Sequence, residues 1–258
     1  MAPTHGFPWS GFFTTRVRCC PGTAGSLRKR SACVLYMGKQ QNNRKSDARP
    51  SAEIGERSGE RGVRMLKFLV VVGSTRAGRR GKAVAEWFLE QARHVSADDW
   101  REVDLAEMAL PWFRSAASPA AGSLDPHPAL AAWSRLVAES DGFVWVTAEY
   151  NHGYPAALKN AIDHLYREWV RKPVALVSYG GPAGGARAAE QLRQVAVELQ
   201  MAPTRFGIHL PMVGRLMDAA GHLAAPDAVA GVAPLVEDLR WWALALKVAR
   251  EADVPARS

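Results

Sequence analysis

Cysteine occurs only at Cys19, Cys20 and Cys33, and none follows from Met65 to Ser258. That stretch therefore has no disulfide framework, no thiolate nucleophile, no redox dithiol and no cysteine-ligated zinc. Redox chemistry there needs a cofactor to carry it. The same lack fits a reducing, cytoplasmic setting. No run of eighteen apolar residues occurs, so no transmembrane helix is expected. No internal repeat is visible. Most of the chain also lacks net charge. Of the formal +8, all is supplied by residues 1–64, which hold twelve Lys and Arg against four Asp and Glu. From Met65 onward there are twenty-one residues of each sign, so no nucleic-acid or membrane partner is expected for that part.

Residues 1–64 lack a sustained apolar period and are rich in Arg, Ser, Gly, Gln and Asn, as in Gln40-Gln41-Asn42-Asn43. Such a segment buries too little apolar surface to offset its ordering entropy. It reads as a basic disordered extension or the product of a start codon set too far upstream. Met65, directly before the first strand, is the natural start. Targeting, or contact with nucleic acid or a membrane surface, is a lesser reading of the same composition.

Residues 65–258 are apolar enough to form a domain, in a chain that is 48% hydrophobic overall. Leu66 to Val72 is a nearly continuous apolar run, as for a parallel strand buried on both faces. Ala83, Val84, Trp87, Phe88 and Ala92 recur at helical spacing. Further strands are predicted at residues 102–105, 142–147, 173–178 and 205–208. Helices are predicted at 130–138, from Pro155, along the Leu192, Val195, Ala196 and Leu199 face, and at 228–250. The last carries Val232, Leu235, Val236, Leu239 and Trp242 on one side. Residues 110–128, with Pro111 and Pro119, read as a long loop. Strands alternating with helices predict a parallel sheet covered on both faces.

In such a sheet ligands bind at the carboxyl ends of the strands, and three loops there are unusual. Residues 73–82 read Gly-Ser-Thr-Arg-Ala-Gly-Arg-Arg-Gly-Lys and open into a helix N-terminus, which favours an anion. Ser74 and Thr75 add hydroxyls, and Arg76, Arg79 and Arg80 add guanidinium forks suited to phosphate. The loop is not a P-loop, since position 76 is Arg, nor GxGxxG, since position 75 is Thr. The second loop runs from Ala148 through Glu149, Tyr150, Asn151, His152 and Gly153 to Pro155. Asn151 and Gly153 accept left-handed backbone angles there. His152 and His164 read as a loop-edge imidazole and a helix-surface residue, not as catalytic groups. The third loop, Ser178-Tyr179-Gly180-Gly181-Pro182-Ala183-Gly184-Gly185, lets the backbone approach a flat ligand closely, with Tyr179 at its edge.

These loops resemble the NADPH-dependent FMN reductases, a flavodoxin-like group that includes azo- and chromate-reducing flavoproteins. The resemblance runs from about Lys67 to Pro211. It rests on Gly73-Ser74-Thr75-Arg76, on Glu149-Tyr150-Asn151 with Gly153, Pro155 and Leu158 to Asp163, and on Ser178 to Gly181 followed by Gly184-Gly185 and Arg187. It implies a doubly wound five-stranded parallel sheet of order 2-1-3-4-5. It implies FMN phosphate at Ser74, Thr75 and Arg76. The flavin ring would meet Glu149, Tyr150, Asn151 and Gly153, with Ser178, Tyr179, Gly180 and Gly181 across it. Two departures stand out. The family has Pro where this chain has Ala148, and Ser and Asn late in the phosphate loop where this chain has Arg79, Arg80 and Gly81; Arg79 or Arg80 would replace those contacts. The resemblance further implies hydride transfer from NADPH through FMN to a small-molecule acceptor (a quinone, azo dye, metal oxyanion or flavin). The chemistry is the cofactor's, so no catalytic side chain and no metal are assigned. The competing reading is an electron-transfer flavodoxin that serves a protein partner. Trp241-Trp242 point about 100° apart on one helix and cannot share one core stripe. With Trp112-Phe113 they predict a homodimer or homotetramer.

Overall fold

Five strands, apolar at the centre of the sheet and partly polar at its edges, pair side by side because helices between them carry the chain back over the faces of the sheet. The computed structural model describes residues 65–122 and 125–252, and the expectations for residues 1–64 lie outside the described residues. The strands are β1 (Lys67–Val72), β2 (Asp99–Asp104), β3 (Gly142–Ala148), β4 (Pro173–Tyr179) and β5 (Ala202–Leu210). All pair in parallel, in the order β2-β1-β3-β4-β5. The helices are α1 (Gly81–Val95), α2 (Pro128–Glu139), α3 (Ala156–Asp163), α4 (Ala186–Glu198), α5 (Pro226–Val229) and α6 (Val232–Glu251). This is the flavodoxin-like arrangement the sequence predicts.

The strand period of two sorts each central strand into two cores. Phe68, Val70 and Val72 of β1, with Val144 and Val146 of β3, meet Val84 and Phe88 of α1 and Leu235 and Leu239 of α6. On the other face Leu69, Val71 and Trp145 meet Trp133 of α2, Leu158 and Ile162 of α3 and Leu192 of α4. Trp169 fills the centre of that second core, with its ring 5.8 Å from both Trp133 and Trp145 and 4.8 Å from Phe143. Its indole N–H donates to the Ile162 carbonyl at 3.2 Å, so the polar handle of a fully buried Trp is satisfied.

Several boundaries differ from the sequence reading. β2 begins at Asp99 and β5 runs from Ala202 to Leu210, both longer than predicted. Polar residues such as Arg101 and Arg205 hide the strands because β2 and β5 are the edges of the sheet and expose one face. The final helix is split into α5 and α6. Its buried stripe ends with Ala243, while Trp242 is 36% and Trp241 63% exposed. The two rings pack edge to face on each other, 5.0 Å apart, outside the core. Asn151 and His152, not Gly153, take the left-handed angles in the second loop. Among the described residues no helix is long and apolar enough to cross a membrane.

Candidate active site

Parallel strands bring all their carboxyl ends to one edge, and four loops meet there around a cleft of about 370 Å³. That lies within the range of roughly 300–1,000 Å³ usual for cofactor sites. Arg76 and Arg80 come from the loop after β1, and Ala148, Glu149 and Tyr150 from the end of β3 and its loop. Tyr179, Gly180 and Gly181 come from the end of β4 and its loop, and Met212 to Arg215 from the loop after β5.

The floor is fixed by buried polar contacts. The Ser74 hydroxyl lies 2.7 Å from the Tyr179 hydroxyl, and both residues are buried. Burial pushes the Tyr179 phenol up to about 12 against the opposing effect of the Ser74 hydrogen bond, so it stays neutral. Gly81, the first residue of α1, is needed here. A Cβ at that position would lie 2.5 Å from the Ser74 hydroxyl and 2.7 Å from the Tyr179 hydroxyl. Thr75 and Arg76 are exposed above this floor, and the Arg76 guanidinium sits over the Tyr150 ring at 5.8 Å.

The second loop is a tight turn closed by Tyr150 and Gly153, which exchange backbone hydrogen bonds of 2.9 and 3.0 Å. Positive φ at both central residues, Asn151 and His152, suits the primed hairpin turn that such a closure requires. The carboxylate of Glu149 is paired with Arg187 at the start of α4, which donates Nε–H to Oε1 at 2.6 Å and its backbone N–H to Oε2 at 3.2 Å. Burial raises the Glu149 pKa, but the Arg187 pair and the amides of Arg187 and Ala188 outweigh it and hold the carboxyl below its ordinary value. Glu149 is therefore a neutralised strut between the second loop and α4. The third loop is braced from below. Ser178 points to the opposite face of the sheet from Tyr179, donates to the Gly184 carbonyl at 2.8 Å and accepts from His209 Nδ1 at 2.6 Å. Gly185, at φ 84°, would place a Cβ 2.8 Å from the Ser178 Cβ and from the Tyr179 nitrogen.

The structure brings Arg76, Arg80, Glu149, Tyr150, Tyr179, Gly180 and Gly181 to the cleft, with Ser74 beneath it. Arg79 is directed elsewhere, pairing with Asp104 at the end of β2 at 2.5 Å. The Ser178 side chain is engaged behind the third loop and the residue is fully buried within β4, outside the lining of the cleft. His164 is 3% exposed and lies 2.9 Å from the Pro111 carbonyl, so it is an interior clamp, not the helix-surface group expected. Asn160 joins it, donating to the same carbonyl at 2.9 Å and accepting from the Phe113 amide at 2.8 Å. Asn160 and His164 thus hold the proline-rich loop, while Lys159 and Asp163 pair with each other. Sequence reasoning missed the loop after β5. Met212 and Val213 donate to the Gly181 and Gly180 carbonyls at 2.9 and 3.1 Å, which locks Met212 to Arg215 against the third loop. Pro211, directly after the strand, and Gly214 were the available signals.

No carboxylate among the described residues pairs with Arg76, Arg80 or Arg215. A Cβ at Gly181 would meet nothing within 4 Å, so its backbone is open on the cleft side. A flat ligand carrying phosphate fits both features: stacking room over glycine backbone, and unpaired guanidinium groups at the rim.

Comparison with known proteins agrees. The sequence pattern of the NADPH-dependent FMN reductases matches residues 66–208. An NAD(P)H-dependent FMN reductase of Schizosaccharomyces pombe is 41% identical over 148 residues, which cover 56% of this chain and 74% of the relative. An NADPH:quinone oxidoreductase of Arabidopsis thaliana is 38% identical over 77 residues, 29% of this chain and 39% of the relative. Among solved structures, the flavoenzyme NAD(P)H:(acceptor) oxidoreductase FerB of Paracoccus denitrificans superposes with a TM-score of 0.56 at 20% identity, over 70% of this chain and 98% of that one. That degree of likeness speaks for the fold.

Proposed function

The chain belongs to the NADPH-dependent FMN reductase family, an oxidoreductase family that uses FMN and NAD(P)H, and from that premise we propose how its cleft serves the reaction. Ser74, Thr75 and Arg76, with the amides at the start of α1, hold the FMN phosphate. The turn of Glu149, Tyr150, Asn151 and Gly153 meets one edge of the flavin ring. Tyr179, Gly180 and Gly181 meet the ring from the other side. When bound, FMN supplies the two-electron chemistry, taking hydride from NAD(P)H and passing electrons to the acceptor. The chain's own residues bind and orient. Ser74 and Tyr179 are locked together and set the phosphate loop before any ligand arrives. Glu149 and Arg187 fix the second loop against α4, so the turn keeps its shape while ligands exchange. No general acid or base is needed for hydride transfer.

The acceptor we favour is a quinone. A planar two-electron acceptor can occupy the same open face that nicotinamide leaves, and the Arabidopsis relative is named for that activity. We further propose a homodimer in which a second copy covers the exposed Trp241-Trp242 face, and a cytoplasmic setting, in keeping with the lack of cysteine after Cys33. The observation that carries the whole reading is the convergence of unpaired guanidinium groups and open glycine backbone in one cleft at the strand ends. Purified protein is expected to be yellow with about one FMN per chain. NADPH should bleach it anaerobically, and a benzoquinone should restore the colour. Colourless protein that takes up no added FMN would overturn this reading; bleaching without reoxidation by quinone would redirect the acceptor.

A further inference from the structure

The cleft holds more positive charge than an FMN phosphate needs. Its carboxylate, Glu149, is cancelled by Arg187, and Arg79 is tied to Asp104. Arg76, Arg80 and Arg215 remain, all exposed and lining the same cleft. They are not grouped at random. Arg76 sits on the Tyr150 side, over that ring. Arg80 reaches the opposite wall, where a Cβ on Gly214 would lie 3.2 Å from its Nη2, so its guanidinium rests on the residue before Arg215. The turn bearing Arg215 is rigid. Its buried Val213 and the hydrogen bonds of Met212 and Val213 to the third loop fix it, and the Arg215 amide closes the turn on the Met212 carbonyl at 2.7 Å. Two cations from separate loops thus line the same corner of one cleft, with no carboxylate paired to either among the described residues, and like charges in one cleft favour an anion between them.

We propose that Arg215, with Arg80 beside it, recognises the 2′-phosphate of NADPH and makes this chain prefer NADPH to NADH. The inference rests on the FMN reductase reading above. The two nicotinamide cofactors differ by that one phosphate, which supplies the dianion this corner calls for. Arg76 and the amides of the first loop remain for FMN. Arginine suits the role because its planar fork takes phosphate oxygens two at a time.

The test uses the full-length holoenzyme. The ratio of kcat/KM for NADPH to that for NADH is measured in the wild type, Arg215→Ala and Arg215→Lys. A charge-assisted contact of the usual strength predicts a fall of about ten-fold or more in that ratio for the alanine variant, with partial recovery for lysine. Calorimetry with adenosine 2′,5′-bisphosphate and with 5′-AMP gives a reading independent of turnover. The wild type should bind the bisphosphate more tightly, and the alanine variant should lose most of that difference. FMN content is read from the visible spectrum of each variant. A wild type that does not distinguish the cofactors, or an unchanged ratio in Arg215→Ala, would overturn the inference while leaving the flavin reading intact. Loss of FMN from Arg215→Ala would also overturn it, by assigning this residue to the flavin phosphate. Colourless wild-type protein would instead sink the underlying reading.

Discussion

The two ends of the sheet treat charge in opposite ways. At the amino ends of the strands Asp98, Asp141 and the buried Lys172 each have partners. Asp98 accepts from Arg240 at 2.5 Å and from the Leu66 amide at 3.1 Å. Asp141 accepts from Lys247 at 2.9 Å, from Arg250 at 3.4 Å and from the Lys67 amide at 3.0 Å. Buried Lys172 donates to the last carbonyls of α2, Val137 and Ala138, at 2.7 and 2.8 Å. Burial lowers its pKa to about 8, with Arg250 adding to the shift. At the carboxyl ends Arg76, Arg80 and Arg215 stand with no carboxylate partner among the described residues. A satisfied charge stabilises the fold, whereas an unsatisfied one in a cleft is held for a ligand. Substitutions at the two ends should therefore separate stability from binding.

The largest effect is expected at the amino end. Asp141→Ala removes a buried carboxylate and leaves two cations and an amide without their acceptor. Breaking a buried pair from one side costs about 3–5 kcal/mol, and the partial exposure of Lys247 and Arg250, with the Arg171 carbonyl left to accept from Arg250, places this case at the lower end. Urea denaturation should show the midpoint falling, while the FMN dissociation constant of the folded protein stays at its wild-type value. A weakened flavin with an unmoved midpoint would abolish the division of labour between the two ends.

The converse is expected at the other end. Arg76→Ala should weaken FMN binding by about 1.5–3 kcal/mol, the range for a hydrogen bond to a charged group. The apoprotein's denaturation midpoint should not move, because Arg76 is exposed and its guanidinium lies over the Tyr150 ring at the surface of the cleft. Fluorescence titration of apoprotein with FMN measures the first quantity. An unchanged dissociation constant would shift the phosphate to another part of the rim.

These two ends were unequally legible in the sequence. The sheet was readable because the central strands are apolar on both faces, and Gly or Pro marks where several of them begin or end; its order followed only from the family resemblance. The loop after β1 stood out in the sequence by its small residues and arginines. The roles within it were not readable. Arg76, Arg79 and Arg80 look alike in sequence, and only the fold brings Asp104 within reach of Arg79 and Gly214 within reach of Arg80. Glu149 and Arg187 are thirty-eight residues apart, so their pairing appears only when the second loop meets α4. The Met212 to Arg215 turn gave little signal because its order comes from hydrogen bonds to the third loop and not from local periodicity. His164 was misjudged because helical spacing alone could not show that the Pro111 to Phe113 segment would fold over it. Residues 65–258 as a domain, and the extension before it, remain a proposal from composition.

The smallest effect concerns the brace that links the two kinds of region. His209 lies on β5, and its Nδ1 is 2.6 Å from the Ser178 hydroxyl that in turn donates to the Gly184 carbonyl. Since the serine proton is spent on that carbonyl, Nδ1 must carry the histidine proton and donate to Ser178. A second proton can then enter only at Nε2. Burial lowers the His209 pKa, with Arg193 acting in the same direction and Glu190 against it. The folded protein thus takes up this proton at a lower pH than the unfolded chain, whose histidine titrates near its ordinary value of about 6.5. The contribution to stability is fully present above that value and is lost as pH falls through it toward the folded value. The ring is partly exposed, so solvent screens the effect and the loss should be smaller than that from any buried pair at the amino end. Urea midpoints measured across the acid side of neutrality should decline in the wild type, and His209→Gln should flatten the part of that decline near the histidine range. The glutamine can still donate to Ser178, so the shape of the third loop is expected to survive. If the variant instead keeps the full slope, the acid sensitivity belongs to other groups and His209 serves the third loop only as a fixed hydrogen-bond donor.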